Sequence, residues 1–433
     1  MDKYSVRWLV VMVMLFTTTL SVSAQTETTT SDIPLRILTV EEGSTIAVLS
    51  DLLDAFADQH PEIQVELDIV PYAGFDALLL SQIEAGIAPD LARVTSFSAF
   101  SEHYLDVRPY LDNADAWDAN FTAPLLEALR VDADSDALHG YPTNFTVSGP
   151  YINRTLFEQA GVSIPSDSSD EVTWDTWMTA TTAAQSALST PDMPIFALAL
   201  DRSGHRFWGP SLSWCATYIS EDGQFSVDSP GFRDAAQILY AWHQQQITPL
   251  EIWAGAGNEY RTPLNFFVDG QLAFYFSGSW LVADVGAGVG DAFDWEVVPS
   301  PVGPCGSSGM IGGAAMVAFR GTDHPEAVGQ LLSFLTRADN LADYYRRSLS
   351  LPGSLELIEQ GLDYPQFSAE LNTFAAELPK VVPEAFTLQY HPNSVNVHSA
   401  IRIHLIDVMS DLQTLDEAIM AIQQDVDTLA GQR

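Results

Sequence analysis

The order strand, helix, strand, helix, strand over residues 35–94 narrows the possible folds of this chain more than any other feature. Leu35 to Val40 (LRILTV) is a β run that Gly43 and Ser44 break. Ile46 to Gln59 follows with Leu49, Leu52, Leu53 and Phe56 at helical spacing, and Pro61 closes it. Ile63 to Val70 alternates with period two, a helix is expected around Phe75 to Ala85, and Pro89-Asp90 leads into a third strand at Leu91 to Val94. Parallel neighbours need a crossover that packs back on the sheet, so this order predicts an α/β fold with a mainly parallel sheet flanked by helices. A second α/β pattern begins near Tyr141. Its expected strands are Phe145 to Ile152, Ile195 to Leu200, Gln271 to Phe276 and Ala314 to Phe319. Its expected helices are Trp174 to Leu188, Phe232 to Gln245, Pro325 to Leu335 and Leu341 to Arg347, and Ser399 to Leu429 reads as helical with few breakers. At 433 residues the chain is too long for one ordinary core and implies two lobes of roughly 150 to 200 residues each.

The first 24 residues read as an export signal. Lys3 and Arg7 precede the apolar run Trp8 to Phe16, and Ser21 to Ala24 supplies small residues at a cleavage point before Gln25. Residues 25–32 (QTETTTSD) are a polar tether. The predicted location is the periplasm or the outer face of the cytoplasmic membrane. The chain has 57 acidic and 18 basic residues, for a formal charge of −39. An acidic surface of this kind repels nucleic acid and anionic lipid, and it argues against an anionic solute. Cys215 and Cys305 can pair in an oxidising compartment or stay as two buried thiols; neither has a second Cys or a His at metal-ligand spacing.

No catalytic signature emerges. Lys380 is the only lysine beyond the export signal and has no glycine loop before it, which excludes a Walker A motif. Gly286, Gly288 and Gly290 lack dinucleotide-loop spacing and read as a loop. His398 and His404 are six apart, off one helical face, and read as packing or surface residues. There is no H-E-x-x-H and no G-x-S-x-G. Composition alone leaves open a carboxylate pair for glycoside hydrolysis.

Several stretches, taken in order, resemble the extracellular solute-binding proteins of the family 1 type. They are LDAFADQHPEIQV (residues 53–65), Ala88-Pro89-Asp90-Leu91, YPTNFTVSGPYINRTLFEQAG (141–161), Thr173-Trp174-Asp175, FVDGQLAFYFSGSW (267–280), Gly312-Gly313, and Ser350 to Gly353. The resemblance covers about residues 33 to 430. It departs in helix surfaces poor in lysine and in Phe274 to Phe276, where a Met-containing strand is commoner. It implies a two-lobed periplasmic-binding-protein fold joined by a hinge, with lobe 1 formed by 33–142 plus 298–350 and lobe 2 by 143–297 plus 351–433. It further implies a monomer without cofactor or catalytic activity. Such a protein would capture a small solute, a sugar, between its lobes and deliver it to the permease subunits of an ABC importer. A polyamine, iron or a phosphodiester in the same fold, a secreted glycosidase, and a partner that presents solute to a receptor are the alternatives.

A sugar needs flat aromatics for its apolar face and polar groups for its rim. Trp280 sits at the end of a strand in the matched G-x-W. Trp208 and Trp214 flank a loop-to-helix segment, and Trp253 lies near a glycine-rich loop. Most tryptophans pack in cores, so each of these has a packing reading beside the binding one. The polar candidates lie where strand carboxyl ends place ligands in open sheets: Glu42 and Ser44 after the first strand, Thr95 and Ser96 after the third, Asp201 and Arg202 after Leu200. Asn144 lies on the crossover, as ligand or hinge hydrogen bond. Gly312 and Gly313 let backbone N–H groups approach a solute or simply make a turn.

Overall fold

Leu35–Val40 is apolar on both faces, which suits a strand covered on both sides, and in the computed structural model it belongs to interior strand β1 (Ile33–Val40). The structure describes residues 32–430 apart from 41–43, 122, 131–134, 221–223, 257–259 and 392. The export signal lies outside the described residues. The further strands are β2 (Ile63–Val70), β3 (Leu91–Val94), β4 (Gly140–Asn153), β5 (Phe196–Leu200), β6 (Leu272–Gly278), β7 (Trp295–Val297), β8 (Val302–Gly303), β9 (Gly306–Ser307) and β10 (Ile311–Ala318). The main sheet runs β2-β1-β3-β10-β4-β6-β5, with β7 also on β4, and β8-β9 form a separate hairpin. β1 pairs in parallel with β2 and β3, while β10 is antiparallel to both β3 and β4. β5 and β6 are parallel, and both β6 and β7 are antiparallel to β4. In each half of the sheet, all strands but one therefore point the same way.

β4 joins the halves. Gly140 to Val147 pair with β10, and Ser148 to Asn153 pair with β6 and β7. A bulge falls at Ala314/Ala315, where Asn144 and Pro142 stand opposite successive residues. Gly313 is required at this crossing. Its φ of 149° is left-handed, and a Cβ would fall 2.4 Å from the Asn144 carbonyl oxygen. A third segment crosses where the Phe145 N–H donates to the Leu351 carbonyl (3.0 Å).

Two apolar clusters hold these layers. One packs Leu35, Ile37, Val48, Leu52 and Phe56 against Met316, Val328, Leu331 and Tyr345. The other runs from Leu38, Val40 and Phe97 through Phe145 and Val147 to Trp174, Trp177, Phe274 and Phe276. Each such side chain contributes about 1.5–3 kcal/mol on burial. Helix starts are fixed locally: the hydroxyls of Thr173, Ser203 and Ser229 accept the N–H of Thr176, Arg206 and Phe232 and so cap helices Trp174–Leu188, Gly204–Ser213 and Pro230–Gln244.

Two sequence expectations are corrected. The C-terminal segment is two helices, Ser394–Met409 and Leu415–Ala430, separated at Asp411 (φ 55°). Thr414 and Glu417 form a reciprocal capping box that starts the second helix. Gly286 and Gly288 lie inside helix Val282–Val289 and not in a loop. A Cβ at either would strike Phe367 (2.1 Å) or Val268 (2.6 Å). The cysteines are joined: Cys215 follows helix Gly204–Ser213 and bonds Cys305 in the β8–β9 turn, 90 residues away. Closing a loop of that length stabilises by about 4–5 kcal/mol in the chain-entropy model.

Candidate functional site

Three groups of elements converge on one cavity of about 440 Å³. Tyr72, Arg93, Thr95 and Ser96 come from the first half of the sheet: Tyr72 follows β2, Arg93 lies in β3, and Thr95 and Ser96 follow the carboxyl end of β3. Asn144, Thr146, Gly312, Gly313 and Ala314 come from the crossing strands β4 and β10. The second half supplies Ser203, His205, Arg206, Trp280, Gln389, Ser394, Val395 and His398. An adjoining recess of about 70 Å³ shares Asn144 and Trp280 and adds Ser44, Asp284, Ser348 and Ser350.

The polar geometry is tightly arranged. Asn144 Oδ1 accepts from the Ala314 N–H (3.0 Å) and from Arg93 Nη2 (3.2 Å), while Arg93 Nε donates to Thr143 Oγ1 (3.2 Å). Ser96 Oγ donates to Asp76 Oδ2 (2.6 Å), and burial raises the Asp76 pKa against that bond. On the other wall, the Arg206 guanidinium lies 3.9 Å from the Trp280 ring centroid. Arg206 Nη1 donates to His205 Nδ1 (2.7 Å), so the His205 proton sits on Nε2, which donates to Gln389 Oε1 (2.6 Å). Arg206 Nε is shielded and makes no hydrogen bond. Behind it, Asp201 accepts from Tyr275 Oη (2.7 Å) and Ser277 Oγ (2.5 Å). Burial raises the Asp201 pKa, opposed first by Arg206. Burial, with Arg206 next, holds His205 well below the usual histidine value, and the same causes, joined by Arg402, bring His398 to about 4. Both imidazoles are thus neutral at pH 7, and the charge on this wall is that of the guanidinium.

The structure brings Thr95, Ser96, Asn144, Trp280, Gly312 and Gly313 to the large cavity and Ser44 to the recess. Glu42 lies outside the described residues. Asp201 stands behind the wall. Arg202 turns aside, donating to the Gly255 carbonyl (2.7 Å) with its guanidinium 3.6 Å over Tyr260. None of the three other candidate tryptophans lines the cavity, which corrects the expectation that they face a solute: Trp208 and Trp253 are buried, at 0% exposed, and Trp214 is half-buried against the core. Trp208 lies beneath His205 and His398, with ring centroids 5.8 and 5.6 Å away. Trp253 Nε1 reaches the Leu200 carbonyl (3.4 Å), and Trp214 packs on Trp174 at 5.1 Å. Trp280 itself has one face covered by Arg206, and it explains the glycine two residues before it: a Cβ on Gly278 would lie 2.1 Å from the ring.

Tyr72, Arg93, Thr146, Ser203, His205, Arg206, Gln389 and His398 escaped the sequence reading. Arg93 carried a usable signal, since a guanidinium in the strand Leu91-Ala92-Arg93-Val94 must reach a polar pocket. His398, expected as a packing or surface residue, lines the cavity; His404 instead bridges the last two helices through Asp425 (3.1 Å). Among the described residues, no group of three or more His, Cys, Asp or Glu could hold a metal ion, and no helix is long and apolar enough to cross a membrane.

A sheet in two halves, three crossing segments and a polar cavity between the halves define a two-lobed binding protein. The chain belongs to the bacterial extracellular solute-binding proteins, whose family model matches residues 42–342. It is 23% identical over 339 residues to a binding protein of Brucella abortus, covering 75% of this chain and 76% of that one. It is also 23% identical over 310 residues to the arabinooligosaccharide-binding protein of Halalkalibacterium halodurans, covering 67% and 65%. Among solved structures, it is similar in fold to the GacH receptor of Streptomyces glaucescens, solved unliganded and with acarbose (TM-score 0.75, 17% identity, 92% of this chain and 98% of that one).

Proposed function

We propose that this chain is exported and, as a monomer without catalytic activity, captures a carbohydrate between lobe 1 (33–142 plus 298–350) and lobe 2 (143–297 plus 351–433). It then delivers the solute to the permease subunits of an ABC importer. The observation that carries this reading is the cavity shared by β3, the crossing strands and helix Gly204–Ser213. A solute held by both walls binds the closed state better than the open one, and it shifts the equilibrium by that difference alone. Asn144 bonds both Arg93 and the β10 backbone, so it belongs to the hinge as well as to the site. The volume lies within the ordinary range of small-ligand pockets. The arabinooligosaccharide-binding and acarbose-binding relatives support a carbohydrate. A polyamine would need several facing carboxylates, and among the described residues none lines the large cavity.

Thermal unfolding of the purified protein against mono- and oligosaccharides, polyamines and ferric citrate tests this. A ligand at about 100 times its Kd stabilises by about 2.7 kcal/mol, a shift of several degrees. Trp280→Ala removes the surface on which Arg206 lies and is expected to weaken binding about tenfold or more. A shift with a polyamine or ferric citrate and with no carbohydrate would sink the carbohydrate reading.

A further inference from the structure

We propose that the captured carbohydrate is acidic, carrying an anionic oxygen group that is seated against Arg206 with Arg93 facing it from the opposite lobe. This rests on the carbohydrate reading above and narrows it. In a chain with 57 carboxylates and 18 cationic side chains, a cavity wall drawn at random would be acidic. This one has two guanidiniums, and among its described lining residues no Asp or Glu. Of the carboxylates close by, Asp201 accepts from Tyr275 and Ser277, Asp76 accepts from Ser96, and Asp284 lines the adjoining recess and not the large cavity.

Arg206 is held for a ligand rather than consumed by the fold. Trp280 fixes the plane of its guanidinium, His205 takes one Nη1 proton, and Nε is left without an acceptor in a shielded place. A buried donor without an acceptor is unfavourable, and an oxyanion is the acceptor that matches a planar guanidinium best. Backbone dipoles add to the same sign. Helix Gly204–Ser213 opens at the cavity with Ser203, His205 and Arg206, and helix Ser394–Met409 opens there with Ser394, Val395 and His398. Two helix N-termini therefore converge on the space beside Arg206, each adding the partial positive charge of its aligned peptide dipoles. The neutral hydroxyl and amide groups on the opposite wall, Thr95, Ser96 and Asn144, suit the remaining sugar hydroxyls.

The test is isothermal titration at pH 7.5 with matched pairs: galactose and galacturonate, glucose and glucuronate, and the corresponding disaccharides. Glucose 6-phosphate stands as the phosphate arm, and citrate and inorganic phosphate as anions without a sugar. The expected result is that the acidic member of a pair binds at least about tenfold tighter than the neutral one. Preference for a uronate or for the sugar phosphate then identifies which oxyanion is used. Arg206→Gln is expected to remove most of that discrimination while affecting neutral-sugar affinity less. Arg93→Gln, checked by circular dichroism, gives the same readout if the first variant does not fold. Neutral and acidic partners binding within threefold of each other would overturn the inference and leave carbohydrate capture standing. Binding of citrate or phosphate with no sugar of either kind would overturn both.

Discussion

The wall of the cleft and the outer coat of this protein treat arginine in opposite ways. On the coat, arginines are bracketed by carboxylates: Arg108 by Asp115 and Asp118, Arg154 by Asp167 and Glu296, Arg233 by Asp228 and Asp416, Arg347 by Asp51 and Asp343. In the cleft, Arg206 hydrogen-bonds a histidine and has Asp201 behind it as its nearest counter-charge, and the hydrogen bonds of Arg93 include a threonine and an asparagine. The total charge of −39 is thus a property of the coat. Charges there are screened within about 10 Å at 0.1 M salt, whereas those inside a narrow cleft are screened far less. The sign of the whole chain says little about the sign of its site, and the expectation from composition that an anionic solute is disfavoured has no counterpart in the cavity lining.

The sharpest way to break this contrast is to remove Asp201, the carboxylate behind Arg206. Asp201→Ala leaves the hydroxyls of Tyr275 and Ser277 without their acceptor and strips Arg206 of its nearest counter-charge. We expect a loss of about 3 kcal/mol in unfolding free energy, read as a lower urea midpoint. Affinity for an acidic sugar should hold or rise in the same variant. An unchanged midpoint would mean that Asp201 does not organise this wall.

The sequence reading reached the frame more fully than the wall. Strands β2 and β3 and helix Trp174–Leu188 fall on their expected bounds, because Pro61, Pro89 and the N-cap Thr173 mark where they can start. The break at residues 410–414 has no Gly or Pro, and its one local signal, Thr414 three residues before Glu417, was passed over. The helix at Gly286–Gly288 could not be read locally, since Phe367 and Val268, from elsewhere in the chain, impose those glycines. Strand-end position brought out Thr95, Ser96 and Trp280. Residue type misled for Trp208, Trp214 and Trp253, because an indole fits a core as well as a sugar face. Arg206 leaves no mark in the sum of charges, because its site exists only once residues 201, 280 and 398 are in one place.

Acid should separate interior from coat by a smaller amount. His243 is 2% exposed, with Nδ1 against the Leu239 carbonyl (2.7 Å), and burial lowers its pKa to about 4. A folded-state pKa below the unfolded value of 6.5 means that the stability is complete above pH 6.5 and is lost as pH falls toward 4. At pH 5 this one residue accounts for about 2 kcal/mol. His205 and His398 act in the same direction at the cleft. Asp76 and Asp201, whose pKa values are raised, act in the opposite direction: their protonation favours the fold as pH falls through their raised values. Urea unfolding at pH 7 and pH 5 measures the sum, and His243→Gln should flatten it by about 2 kcal/mol. A variant with the wild-type difference would place the acid sensitivity elsewhere.

The smallest effect belongs to the coat. Arg347 pairs with Asp51 on helix Thr45–Gln59 and with Asp343 one turn back (3.1 Å), and all three side chains are more than 40% exposed. An exposed pair contributes about 0.2–1 kcal/mol and an i,i+4 helix pair about 0.3–0.5, so Arg347→Met, which loses one of each, should lower stability by no more than about 1.5 kcal/mol at low salt. At 1 M salt, where the screening length is about 3 Å, the difference should vanish. The wild type should move the other way: salt screens the self-repulsion of the acidic coat and raises the midpoint of thermal unfolding. The same salt should weaken capture of an acidic sugar, because the ligand charge and the guanidiniums attract. Opposite signs for stability and for binding in one salt titration are what a repulsive exterior around an attractive cleft requires. If both rose together, the cleft would not be drawing its ligand by charge.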